Sequence, residues 1–140
     1  MPAYTRPPWQ GPLAPLATIV VHGHRLGTPA FQSVRALLDT GADYTEIPNA
    51  LARKLELRER GEKRDVRGVE NLPRLLPKYL ARIELDGRLF EVVVLGSDGL
   101  KVNGEPWAIV GRDILNEAVT LNWPRLTYDV APATSASSAP

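Results

Sequence analysis

Apolar and polar positions alternate in short bursts along this chain, and the bursts are the length of strands. "ATIVV" (Ala17 to Val21) is a β-branched run. "GHRLGTPA" (Gly23 to Ala30) carries glycine and proline punctuation and reads as a turn. "FQSVRALL" (Phe31 to Leu38) returns as a strand. In "ARIELDGRLFEVVVL" (Ala81 to Leu95) two β-rich runs flank Asp86-Gly87, a dipeptide suited to a type I′ hairpin turn. "PWAIV" (Pro106 to Val110) is a further short strand, stopped by Gly111. Helical rhythm is confined to two places. Pro48 to Leu57 opens on proline and spaces Leu51 and Leu55 four apart, and Asp113 to Ala118 has room for one or two turns. Short strands, tight turns and little helix predict an all-β barrel or sandwich.

Both ends fall outside this rhythm. Met1 to Pro15 is proline-rich, and proline lacks the N–H that a sheet interior uses, so residues 1–15 read as an extended or disordered arm, a loose leader to the first strand. Leu13 to Val21 is the nearest approach to a signal-peptide core, but Pro15 interrupts it and no small-residue cleavage site comes after it. Residues 131–140, "APATSASSAP", form a low-complexity tail with too little apolar surface to order itself. One domain is expected over residues 16–130.

Composition narrows the chemistry. A chain of 140 residues with 44% hydrophobic content can bury one core. A net charge of +1 gives no reason to expect nucleic acid or an anionic membrane as partner, and no apolar run is long enough to span a bilayer. The absence of cysteine removes disulfides, thiol catalysis and thiolate metal ligands, and is compatible with a cytoplasmic location.

One stretch calls for a chemical explanation. In "ALLDTGADYT" (Ala36 to Thr45) an apolar run ends on Asp39-Thr40-Gly41. Burying an ionised carboxylate is costly unless it is paired or hydrogen-bonded. Either Asp39 is a turn residue, for which aspartate and glycine are suited, or its carboxylate is wanted at the floor of a site. Two carboxylates about 3 Å apart cannot both ionise, so they share a proton; one then acts as base on water while the other acts as acid on a carbonyl. A glycine after Asp-Thr lets backbone approach closely, and a threonine hydroxyl can hold the carboxylate.

"ALLDTGAD" resembles the active-site strand and turn of the retropepsins, the retroviral-type aspartic proteases. "AIVGRDIL" (Ala108 to Leu115) resembles that family's apolar-apolar-Gly-Arg segment before a C-terminal helix, and "VTLNW" (Val119 to Trp123) the strand after that helix. The order of pieces fits over roughly Leu16 to Tyr128. The resemblance implies a closed or partly open β-barrel with one short C-terminal helix, aspartic endopeptidase activity, and no metal or other cofactor. It implies Asp39 as the catalytic carboxylate, Thr40 as a grip joining two halves of the site, and Gly41 as a contact to substrate backbone. The implied substrate-binding set is Leu37, Ala42, Asp43, Tyr44, Gly68, Val69, Trp107 and Ile109. Asp43 would pair with Arg112, an arginine fork suiting a carboxylate; two solvated surface charges are the alternative. Asp113 reads as a helix N-terminal residue.

Asp-Thr-Gly occurs once, so the second carboxylate has to come from a second copy. That makes the enzyme a symmetric homodimer with its site on the two-fold axis. The terminal strand around "TLNW" would pair with its twin. The substrate would be a peptide or protein held extended, under a flap hairpin over Lys63 to Arg74 with Gly68 near its tip. Three positions keep two readings each. Trp107 either walls an apolar pocket or belongs to the core or an interface. Glu46 either favours basic substrate groups or points to water. His22 and His24 are either polar turn residues or, more remotely, ligands of a metal hydrolase. The alternative for the whole chain is an inactive retropepsin-fold module for dimerisation or peptide binding.

Overall fold

In most of the strands alternate residues are apolar, and those residues meet in one interior. The computed structural model describes residues 2–9, 11–23, 30–66, 73–122 and 124–132, with backbone alone at 63–66 and 73–74. Strand β1 (Leu16–His22) sends Ile19 and Val21 inward; β2 (Phe31–Leu38) sends Val34, Ala36 and Leu38. A short β3 (Glu46–Pro48) leads into helix α1 (Asn49–Lys54). Then come β4 (Arg58–Val66), β5 (Pro73–Leu85) and β6 (Arg88–Ser97). A small hairpin, β7 (Lys101–Val102) with β8 (Glu105–Val110), precedes α2 (Arg112–Ala118). The described chain ends in β9 (Val119–Asn122) and β10 (Thr127–Val130).

The strands run β1-β2-β8-β3-β6-β5, and β1 also pairs with β5 through Val21↔Ile83, which closes the ring into a six-stranded barrel. Closure removes the free edges that an open sheet would present. Ile19, Ile47, Ile83, Val94, Val110 and Ile114 are almost wholly buried within it. The expected all-β barrel is therefore present, with its short helix before the terminal strand and a second after β3. Pro48 belongs to β3, and the helix starts one residue later.

Local chemistry explains the turns. Asp86 and Gly87 both have positive φ, 49° and 81°, as a type I′ hairpin requires, and β5 pairs with β6 from Leu85↔Arg88 outward. Strands β4 and β5 pair as far as Val66↔Pro73, with a register shift between Glu59 and Glu62. This is the hairpin in which the flap was expected; Gly68 and Val69 lie outside the described residues.

One expectation about the ends changes. The N-terminal arm is extended but not loose. Thr5 and Ala14 exchange backbone hydrogen bonds of 2.9 Å each, the Tyr4 N–H donates to the Leu126 carbonyl at 2.7 Å, and Tyr4 is buried in the common core. Its prolines do not prevent this, because the bonds fall between them. At the other end, β9 pairs with β10 of its own chain, with Leu121 opposite Tyr128, and Ala3 bridges to Thr127. Trp123 lies outside the described residues.

The Tyr79 hydroxyl donates to Asn49 Oδ1 at 2.7 Å in the interior, joining β5 to α1. Burial raises the Tyr79 pKa above the usual phenol value, which keeps the donor proton in place. Gly96 sits against this bond: a Cβ there would stand 2.7 Å from the Tyr79 ring and 2.8 Å from Asn49 Oδ1. Gly96→Ala should therefore destabilise the fold by about 1–3 kcal/mol, read from the denaturant midpoint. An unchanged midpoint would show that the bond gives way freely.

Candidate active site

Two sequence motifs meet because β2 and β8 run parallel. Their register places Leu37 beside Ile109 and Leu38 beside Val110. Parallel strands deliver their succeeding turns to the same end of the sheet. Strand β2 runs on into Asp39-Thr40-Gly41, and β8 runs on into Gly111-Arg112. The Asp39 N–H extends the ladder by donating to the Val110 carbonyl at 2.9 Å.

The Asp39 carboxylate is held by its own turn. The Gly41 N–H donates to Asp39 Oδ1 at 2.8 Å, and the Ala42 N–H to the Asp39 carbonyl at 3.2 Å. Asp39 is half-buried, while Thr40 and Gly41 are exposed beside it. Ala42 is buried, and its carbonyl accepts from the Arg112 N–H at 2.8 Å. Arg112 Nη2 donates to Asp43 Oδ1. Both side chains are largely exposed, so solvent screening limits this ion pair to under about 1 kcal/mol.

A stronger tie is not visible in either motif alone. Thr45 is fully buried. Its N–H donates to Asp113 Oδ2 at 2.9 Å, its hydroxyl donates to Asp113 Oδ1 at 2.8 Å, and the same hydroxyl accepts from the Gly111 N–H at 3.1 Å. Asp113 also accepts from the Ile114 N–H at 2.9 Å; it stands in the first turn of α2, as expected of a helix N-terminal residue, and clamps the Asp39 turn as well. Gly111 is required by contact: a Cβ would fall 2.6 Å from the Tyr44 carbonyl carbon and 2.9 Å from the Ala42 oxygen. The two motifs are packed backbone to backbone.

Period-two alternation puts Arg35, Leu37 and Asp39 on the face of β2 opposite its core residues. Trp107 and Ile109 of β8 stand beside Arg35 and Leu37 in register. Leu37 and Ile109 are half-buried and line a cavity of about 180 Å³ together with Trp107 and Trp9. A second cavity of about 340 Å³ is lined by Leu37, Asp39 and Thr40 on one side and by Trp9 and Pro12 to Pro15 on the other. Trp107 is buried and lines the smaller cavity.

The remaining candidates separate. Tyr44 is exposed. Glu46 does not point to water: it is fully buried on β3, in register with Leu95 and Ile109. His22 Nε2 lies 3.5 Å from Glu84 Oε1, and His24 is outside the described residues. Among the described residues no three of His, Cys, Asp and Glu gather as a metal site would require, and no helix is long and apolar enough to cross a membrane.

The chain is similar to known proteins. A family model described as aspartyl protease matches residues 18–110. Among solved structures, EIAV protease complexed with the inhibitor HBY-793 is similar at 26% identity and a TM-score of 0.51, over 76% of this chain and 88% of that one. The foamy viral protease-reverse transcriptase, solved with double-stranded DNA, is 23% identical with a TM-score of 0.46, over 73% of this chain and 15% of that one. No curated protein matches.

Thr45→Val preserves shape but strands the buried Gly111 N–H and removes one donor to Asp113. It should destabilise the protein by about 1–3 kcal/mol, and Thr45→Ser should restore most of the loss. Equal midpoints for wild type and Thr45→Val in urea would show that the clamp contributes nothing.

Proposed function

The chain belongs to the aspartyl protease family and has the retroviral-protease fold, and we propose that it is an aspartic endopeptidase whose catalytic carboxylates are two copies of Asp39, one from each subunit of a homodimer. The observation that carries this is the state of the three aspartates around the turn. Asp43 faces Arg112 and Asp113 is committed to Thr45, whereas Asp39 stands at the cavity wall beside exposed Thr40 and Gly41. A single Asp-Thr-Gly per chain supplies half of a two-carboxylate site. A two-fold axis beside Asp39 supplies the other half.

The chemistry rests on one proton shared by two carboxyls. The ionised Asp39 takes a proton from water as the water oxygen bonds to the peptide carbonyl carbon, and the protonated Asp39 donates to the carbonyl oxygen. The tetrahedral diol then collapses. The amide nitrogen accepts a proton from one carboxyl, a diol hydroxyl returns a proton to the other carboxylate, and the C–N bond breaks. Water is consumed, an acid and an amine leave, and the dyad again holds one proton. Thr40 joins the two turns, Gly41 offers backbone to an extended substrate, and Leu37, Trp107 and Ile109 receive its side chains. In this reading the β4–β5 hairpin is the flap. Among the described residues β9 has a ladder partner on one edge only, which leaves the other edge for the second subunit.

Asp39→Asn should lower kcat on a mixed peptide library by at least about a hundredfold without changing the unfolding midpoint. Activity should fall at low pH, where both carboxyls are protonated, and again toward neutrality, where both are ionised, because each limit destroys the shared-proton state. The dimer fraction from sedimentation, measured on the same samples, separates the alkaline limb from dissociation. A flat profile from about pH 4 to 9, or activity retained by Asp39→Asn, would leave an inactive peptide-binding or dimerisation module as the reading.

A further inference from the structure

The N-terminal arm brings a side chain to the site from outside the family-matched region of residues 18–110. The Thr5–Ala14 backbone pair closes the arm into a loop at its base. Tyr4 anchors one end in the core, and the Pro15 carbonyl, accepting from the Leu38 N–H at 2.9 Å, anchors the other. Trp9 lies in this loop, 42% exposed, and meets Trp107 edge to face with ring centroids 5.3 Å apart. On the Trp107 ring the Arg35 guanidinium also sits, 4.7 Å from the centroid. Trp107 is therefore fixed between a cation and the arm.

Trp9 stands between the two cavities of the cleft face and lines both, as does Leu37. The larger cavity has Pro12, Leu13 and Pro15 on the arm side, and Asp39 and Thr40 on the other. It is mainly apolar, and its wall includes Asp39, the carboxylate that would activate water.

We propose that Trp9 is a specificity-determining residue: with Leu13 and Leu37 it forms an arm-built subsite, beside Asp39, for a bulky apolar or aromatic side chain of an extended peptide substrate. This rests on the aspartic endopeptidase reading. The chemistry of the walls selects the occupant. They are aromatic and aliphatic, they adjoin Asp39, and a peptide held extended across Asp39 sends alternate side chains toward them. A pocket of this kind discriminates by buried apolar surface, where one side-chain step changes kcat/KM by about tenfold or more.

The test is a series of peptides identical except for Ala, Leu or Phe next to the scissile bond. It is run on wild type, Trp9→Ala and Trp9→Phe, with the same peptides titrated onto Asp39→Asn and onto Asp39→Asn with Trp9→Ala. Wild type should prefer Phe and Leu over Ala. Trp9→Ala should lose about tenfold in kcat/KM on the Phe and Leu peptides, mainly through KM, and leave the Ala peptide nearly unchanged; Trp9→Phe should recover most of the preference. A purely structural effect of Trp9 would scale all three peptides alike, and that result, or an unchanged Phe to Ala ratio, overturns the subsite while the endopeptidase reading stands. If wild type cuts none of the peptides, the endopeptidase reading fails. The subsite is then carried by about tenfold weaker binding of the Phe peptide to the double variant than to Asp39→Asn, and overturned by equal or absent binding.

Discussion

Everything at the site depends on the parallel pairing of β2 with β8. Asp39 and Arg112 are far apart in sequence, and neither motif alone contains more than a turn. The register Leu38↔Val110 makes both turns start at the same level of the sheet. Because side chains alternate with period two, that register also decides which residues reach the cleft. A slip of β2 by one residue would send Leu37 into the core and Leu38 into the cleft. The closed barrel protects the register, since β2 is held by β1 on one side and β8 on the other.

The pairing leaves a junction of bare backbone between the two turns, and its polar groups must be satisfied where water is excluded. Thr45 does this with one side chain, as donor to Asp113 and acceptor from Gly111. Gly111 has no Cβ because the Tyr44 backbone occupies the place one would take. The exposed Asp43–Arg112 pair adds little energy to this junction.

Much of the fold could be read in the chain. β2 was legible in full, since "FQSVRALL" alternates and is bounded by turn residues. Asp86-Gly87 announced its hairpin, the first helix lay close to where the spacing of Leu51 and Leu55 put it, and the second covers Asp113 to Ala118 with one residue more. β4 was not legible as a strand: Arg58 to Glu62 are all exposed, so no apolar alternation marks them. The first half of β5 was hidden by Pro73 and Pro77, which are tolerated because β5 there has a neighbour on one edge only. At the site, Asp39 and Arg112 were legible from their motifs. Thr45, Asp113 as a clamp, and Trp9 were not, because their roles are created by contacts between distant segments. Thr45 reads locally as a turn residue and Trp9 as part of a proline-rich arm. Glu46 reads locally as facing water or substrate, because the charge of a residue does not reveal which face of a three-residue strand it takes.

The central claim is that one active site needs two chains, each giving one Asp39. Mixing wild type with Asp39→Asn at fixed total concentration, after dissociation and reassociation, tests it directly. If a site requires Asp39 from both subunits, activity falls as the square of the wild-type fraction, because hybrid dimers are inactive. A linear fall would mean that each chain carries a complete site, and would contradict the account.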